Sequence, residues 1–78
     1  MARTKSTIGE RIRAARVARN LSQDALGDAV GVRGATISRY ESDDLRPTLA
    51  TLEAIADELG ASFGWLGAGE GRPPRGVS

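Results

Sequence analysis

Seventy-eight residues make one small domain, and a single Phe, Trp and Tyr leave its core to Leu, Ile, Val and Ala. With neither Cys nor His, the chain has no disulfide framework, thiol nucleophile, Ser-His triad or common zinc site, and the net charge of +1 favours no partner by itself. No apolar run approaches membrane-spanning length and residues 1–20 lack the apolar centre of a signal peptide, so a soluble, cytoplasmic chain with no membrane partner is expected.

Residues 1–6 form a basic, polar arm holding Arg3 and Lys5. Thr7 opens a first helix, with Glu10 three residues on completing a capping box. Ile8, Ile12 and Ala15 follow at helical spacing, and Asn20, which tolerates a left-handed turn, is the expected stop. Ser22 caps a second helix carrying Leu26 and Val30 on one face, with Asp24 near its positive end. Gly31 closes it, where φ > 0 is needed. Gly27 lies mid-helix, where glycine costs about 1 kcal/mol against alanine. A close crossing by the next helix, leaving no room for a side chain, explains it.

The third helix is expected from about Arg33 to Ser42, with Ile37 and Tyr40 on its inner face. Residues 43–46 form a loop, and Pro47 bars helix just before itself. Thr48 caps a fourth helix whose apolar stripe is Leu49, Leu52, Ile55, Ala56 and Leu59, ending at Gly60. Ser62 caps a short fifth element holding Phe63, Trp65 and Leu66. Residues 68–78 have tail or linker composition, with too few apolar groups to repay ordering. The expected organisation is thus an arm over 1–6, a domain over 7–67 and a tail over 68–78.

The charge is unevenly divided. Residues 1–20 carry six cations against Glu10, a balance of +5; residues 21–60 carry Arg33, Arg39 and Arg46 against eight acids, −5. Such asymmetry suits a nucleic-acid-facing end and a solvated or partner-facing end. Arginines simply solvated on a helix would leave the same pattern.

Taken in order, residues 8–13, Leu21-Ser22-Gln23, residues 36–41, Pro47-Thr48-Leu49 with Thr51-Leu52, and Trp65-Leu66 followed by residues 69–71 resemble the phage-repressor/Cro (XRE) helix-turn-helix family. The resemblance covers residues 7–71. It implies an all-α, compact five-helix bundle of the lambda-repressor type, with the second and third helices as the helix-turn-helix. The second helix of that motif, the third of the chain, enters the DNA major groove.

On this resemblance Gln23 clamps a phosphate together with free amides at its helix end. The positions facing bases are Arg33, Gly34, Ala35, Thr36, Ser38 and Arg39. Gly34 stands where a long polar side chain is common, and Ala35 reaches only a thymine methyl. Arg33 replaces a frequent Ser or Thr cap worth about 1 kcal/mol. Either its contact with guanine or phosphate matters more, or the cap is dispensable. Arg46 and the arm's Arg3 and Lys5 are further candidates for the DNA backbone. Arg16 and Glu41 match a structural ion pair tying the first helix to the third. The acids of Ser42-Asp43-Asp44-Leu45-Arg46 depart from the family's basic or glycine-rich loop; they would repel phosphates unless the loop turns away. Phe63, Trp65 and Leu66 complete the core or, alternatively, form a dimer contact.

The reading is a DNA-binding transcriptional regulator, a phage or bacterial repressor acting as a dimer on a near-palindromic operator. It has no catalytic residues, metal or cofactor, and its tail leads towards a possible C-terminal domain or protein partner. The alternatives are an antitoxin of a toxin–antitoxin pair, and a protein-interaction module without DNA binding. The apolar residues of the first four helices are assigned to the core, so free chains are expected to be monomeric or weakly dimeric.

Overall fold

Short side chains with a hydroxyl set where most of the helices begin. Thr7 accepts from the Glu10 amide at 3.1 Å while its own amide donates to Glu10 Oε1 at 2.9 Å, closing the capping box of α1 (Ile8–Ala18). Ser22, Thr48 and Ser62 do the same work, without the reciprocal half, for α2 (Gln23–Val30), α4 (Leu49–Leu59) and α5 (Phe63–Ala68). Only α3 (Gly34–Glu41) starts without a side-chain cap, because Arg33 occupies that position. Left-handed residues close the elements: Asn20 (φ 58°) follows α1, and Gly31 and Gly60 (φ 83° and 66°) end α2 and α4. The computed structural model describes residues 6–77, and among them there are five helices and no strand. None of these helices is long and apolar enough to cross a membrane. Arg3 and Lys5 lie outside the described residues.

One core joins all five helices. Ile12, Leu26, Ile37, Ile55, Leu59 and Leu66 are fully buried, with Ala15, Tyr40, Leu52, Ala56 and Trp65 around them. The helix α3 packs against α2 and α1; α4 packs against α2, α5 and α1; α5 closes the bundle on α1. Leu49 is a correction to the expected stripe. It is 73% exposed, because the first residue of α4 projects beyond the neighbouring helices and burial begins at Leu52.

The short α5 has a partner that the pattern of apolar residues does not announce. Arg11, buried on α1, donates from Nε to the Leu66 carbonyl at 2.9 Å and from Nη2 to the Gly67 carbonyl at 3.3 Å. Its Nη1 bonds Ser6, through Oγ at 2.9 Å and through the backbone carbonyl. A cation at the C-terminal end of α5 satisfies carbonyls that six helical residues leave open. After Gly69 the chain is irregular, yet it runs back past Ala18 and sets Val77 against the core.

Two glycines let helices approach closely. A Cβ on Gly9 would collide with the Tyr40 carbonyl oxygen and lie 2.6 Å from that of Glu41, so α1 begins directly against the end of α3. A Cβ on Gly27 would sit 2.5 Å from the Val32 oxygen and 3.0 Å from the Arg33 carbonyl carbon. The close crossing is therefore with the turn that launches α3. Gly27→Ala is expected to destabilise the fold by about 1–3 kcal/mol through overpacking, although alanine is the better helix former. Gly64→Ala, where the nearest outside atom is 4.0 Å away, should instead stabilise by up to about 1 kcal/mol. Urea unfolding of the two variants measures both signs; an unperturbed Gly27→Ala would remove the packing reason for that glycine.

Candidate nucleic-acid interface

The turn Gly31-Val32-Arg33 sets α3 across α2, and what α3 buries decides what it shows. Ile37, Tyr40 and Glu41 face inward. Ala35, Ser38 and Arg39 are exposed, with Arg33 exposed just ahead of the helix and Gly34 and Thr36 half-buried at its margins. Of the six positions expected to read bases, Ala35, Ser38 and Arg39 thus share one exposed face of α3 and Arg33 is exposed ahead of it, whereas Gly34 and Thr36 lie at its edges, Gly34 turned towards α2. Ser42 lies on the same face, four residues beyond Ser38, but its hydroxyl donates to the Arg39 carbonyl at 3.1 Å. Arg33 makes no capping bond, so its side chain is not committed to the helix end.

Gly34 has a structural reason as well. A side chain there would run into the carboxylate of Asp24, from the first turn of α2, whose Cγ would be 2.9 Å from a Cβ. The N-termini of α2 and α3 therefore share one acid, which suits both dipoles.

Glu41 ties this unit to the rest of the bundle. Its Oε2 is 2.6 Å from Arg16 Nε, and its Oε1 accepts from Arg16 Nη2 and from Gln23 Nε2, both at 3.1 Å. Arg16 Nη1 also donates to the Leu21 carbonyl at 2.8 Å. The paired side chains are only 12% and 4% exposed, so both charges depend on this geometry. Gln23, expected as a phosphate ligand, has its amide nitrogen held by Glu41 and is half-buried.

The loop acids do not stand free. Asp43, in a left-handed conformation (φ 61°), turns towards the start of α1: Oδ1 accepts from the Gly9 amide at 3.0 Å and Oδ2 from the Thr7 hydroxyl at 2.5 Å. It adds a second carboxylate, beside Glu10, at the start of α1, and this one no local pattern revealed. Asp44 pairs with Arg39, Oδ2 to Nε at 3.0 Å. Arg46 is exposed immediately before the buried Pro47.

The three residues considered for a dimer contact separate. Trp65 (7% exposed) and Leu66 are core, because α5 turns them onto α1 and α4; Phe63 is the exposed one, at 41%. The expectation that the first four helices place all their apolar residues in the core also needs correction. Val17 on α1 and Leu49 on α4 are exposed, as is Leu45 in the loop before α4, and none of the three faces the interior.

Comparison with known proteins bears on this geometry. The helix-turn-helix family matches residues 12–66. The immunity repressor protein of Bacillus phage phi105 is 39% identical over 54 residues, 69% of this chain and 38% of that protein. The HTH-type transcriptional regulator PrtR of Pseudomonas aeruginosa is 41% identical over 63 residues, 81% of this chain and 24% of that protein. The chain thus spans 38% and 24% of the lengths of these two relatives. Among solved structures, the P22 c2 repressor in complex with synthetic operator 9T superposes with a TM-score of 0.81 at 36% identity, over 85% of this chain and 100% of that one. SinR, described as the master regulator for biofilm formation, in complex with DNA gives 0.72 at 28%, over 77% and 97%.

Removing Glu41 strands a mostly buried guanidinium and frees Gln23. Glu41→Ala is expected to cost about 3 kcal/mol in urea unfolding. Asp43→Asn keeps a residue that tolerates the left-handed turn but removes one of the two carboxylates at the start of α1, and should cost about 1 kcal/mol. Equal stability of Asp43→Asn and the parent chain would mean that the contact with Gly9 and Thr7 contributes nothing through charge.

Proposed function

This chain belongs to the helix-turn-helix family, and we propose that it is a sequence-specific DNA-binding regulator of transcription, a repressor of phage or bacterial type. The observation that carries the reading is the exposed polar face of α3, with Arg33 and Arg39, on a helix held rigidly by the Gly27 crossing and the Glu41 network. Phosphate contacts fix register and base contacts set sequence. Gln23, Arg39 and Arg46 take the first role, with Arg3 and Lys5 of the arm. Arg33 takes the second, by bidentate bonds to guanine, helped by Thr36 and Ser38 and by the Ala35 methyl against thymine. Gly34 contributes no side-chain bond to a base, and its bare backbone makes room for Asp24.

One recognition helix covers only a few base pairs. Two copies are therefore proposed on a near-palindrome, with their α3 helices about 34 Å apart, one turn of DNA. The exposed apolar groups Leu45, Leu49 and Phe63 support pairing of modest strength. Residues 7–67 act as the DNA-binding unit, and the segment from 68 onward connects it to a further domain or partner, in keeping with relatives that are much longer. The proposed work of the domain needs no cofactor and no catalytic step, and it is done inside the cell, where the operator is.

A second reading, a protein-interaction module without DNA binding, is favoured by the Asp24 and Asp44 carboxylates that flank α3. A salt titration against random duplex decides between the two. The DNA reading expects log affinity to fall by about 0.9 per phosphate contact for each unit of log salt; a slope near zero, or no binding at low salt, supports the interaction module. Within the DNA reading, Arg33→Ala should relax preference at one base position at a cost of about 1–3 kcal/mol. Gln23→Ala should weaken all duplexes alike. Uniform weakening by Arg33→Ala would reassign Arg33 to the backbone.

A further inference from the structure

We propose that Asp44 is an affinity-setting residue that acts through Arg39: it holds the guanidinium in the free chain, and Arg39 reaches a DNA phosphate only by leaving it. This rests on the DNA-binding reading of α3.

The pair is built into the loop. Asp43 is anchored to α1 through Gly9 and Thr7, so the residue after it has little freedom of position. The Asp44 amide donates to the Arg39 carbonyl at 2.9 Å, and the Leu45 amide donates to the same oxygen at 3.2 Å. Asp44 is thereby tied to Arg39 by backbone as well as by the 3.0 Å contact from Oδ2 to Nε. Such preorganisation lowers the entropy cost of holding the long Arg39 side chain against the short Asp44 carboxylate.

The pair is also accessible. The two side chains are 57% and 64% exposed, so water and salt screen their attraction. A polyanion then competes with Asp44 for Arg39 on nearly equal terms. The exchange breaks the ion pair, which lowers affinity by what the pair contributes to the free chain, and the carboxylate that Arg39 leaves takes up a counterion, so that binding releases one fewer in sum. The result is a recognition helix whose basic residue is discounted electrostatically at every site, so that non-specific binding is held down and base contacts such as that of Arg33 weigh more.

The test is a double-mutant cycle on the full chain, using random-sequence duplex over a range of salt. Asp44→Asn should bind about two- to fivefold more tightly at low salt, the range an exposed ion pair spans. Its slope of log affinity against log salt should steepen by about 0.9, as for one further neutralised phosphate. Arg39→Ala should abolish that gain, and Asp44→Ser should behave as Asp44→Asn does. The proposal is overturned if Asp44→Asn binds no more tightly than the parent, or if its gain survives in the Arg39→Ala background. The second outcome would make Asp44 a general repeller of phosphate. If neither the parent chain nor Asp44→Asn binds duplex at the lowest salt, the DNA-binding reading falls and takes the role of Asp44 with it. A parent that binds, with Asp44→Asn unchanged, removes the role of Asp44 alone.

Discussion

A carboxylate at the C-terminal end of a helix faces the negative pole of that helix, and burial makes its position worse still. Glu41, the last residue of α3, is in that position and is stable there because Arg16 meets it with two nitrogens and Gln23 with a third. The three groups come from α1, the start of α2 and the end of α3. The orientation of α3 relative to the bundle depends on this constraint at its C-terminal end, as it depends on the Gly27 crossing at its start. Ile37 and Tyr40 supply the buried area, but apolar packing is tolerant of rotation; a bidentate arginine–carboxylate contact is not.

The same economy appears at the other end of α3 and in the loop after it. Asp24 serves the first turns of α2 and α3 together, and the bare backbone of Gly34 makes room for it. Asp43 leaves the end of α3 and completes the start of α1, where Gly9 gives it access to the backbone amide. Acids that read from composition as a liability for an anionic partner thus have structural occupations. What reaches solvent on α3 is small or basic: Ala35, Ser38 and Arg39, with Arg33 beside them. That surface, and not the net charge of +1, is the feature suited to a phosphate backbone.

Short helices need tertiary support, since a single turn or two is unstable alone. The six residues of α5 receive it from Trp65 and Leu66 in the core and from the Arg11 guanidinium across their final carbonyls. Arg11 also binds Ser6, so the N-terminal approach to α1 and the exit of α5 meet on one side chain. Ser6 and the end of α5 are therefore brought to the same side of α1.

Much of this fold is legible because its signals are local. Thr7, Ser22, Thr48 and Ser62 each bond an amide three residues ahead, and Gly31 and Gly60 adopt left-handed angles at the ends of their own helices. Such features depend on the chemistry of one turn, so the sequence alone determined the number of helices, nearly all their limits and the need for a close crossing at Gly27. The tertiary structure alone decided what depends on distant partners. Arg11 reads as one more solvated arginine until Leu66, 55 positions away, offers its carbonyl. Asp43 reads as a repulsive loop acid until Gly9, 34 positions before it, offers its amide. Leu49 fits an apolar stripe that its neighbours do not extend far enough to cover. Periodicity and caps are written in spacing along the chain, whereas the fate of a charge or of an end residue is set by which groups the packed helices bring within 3 Å of it.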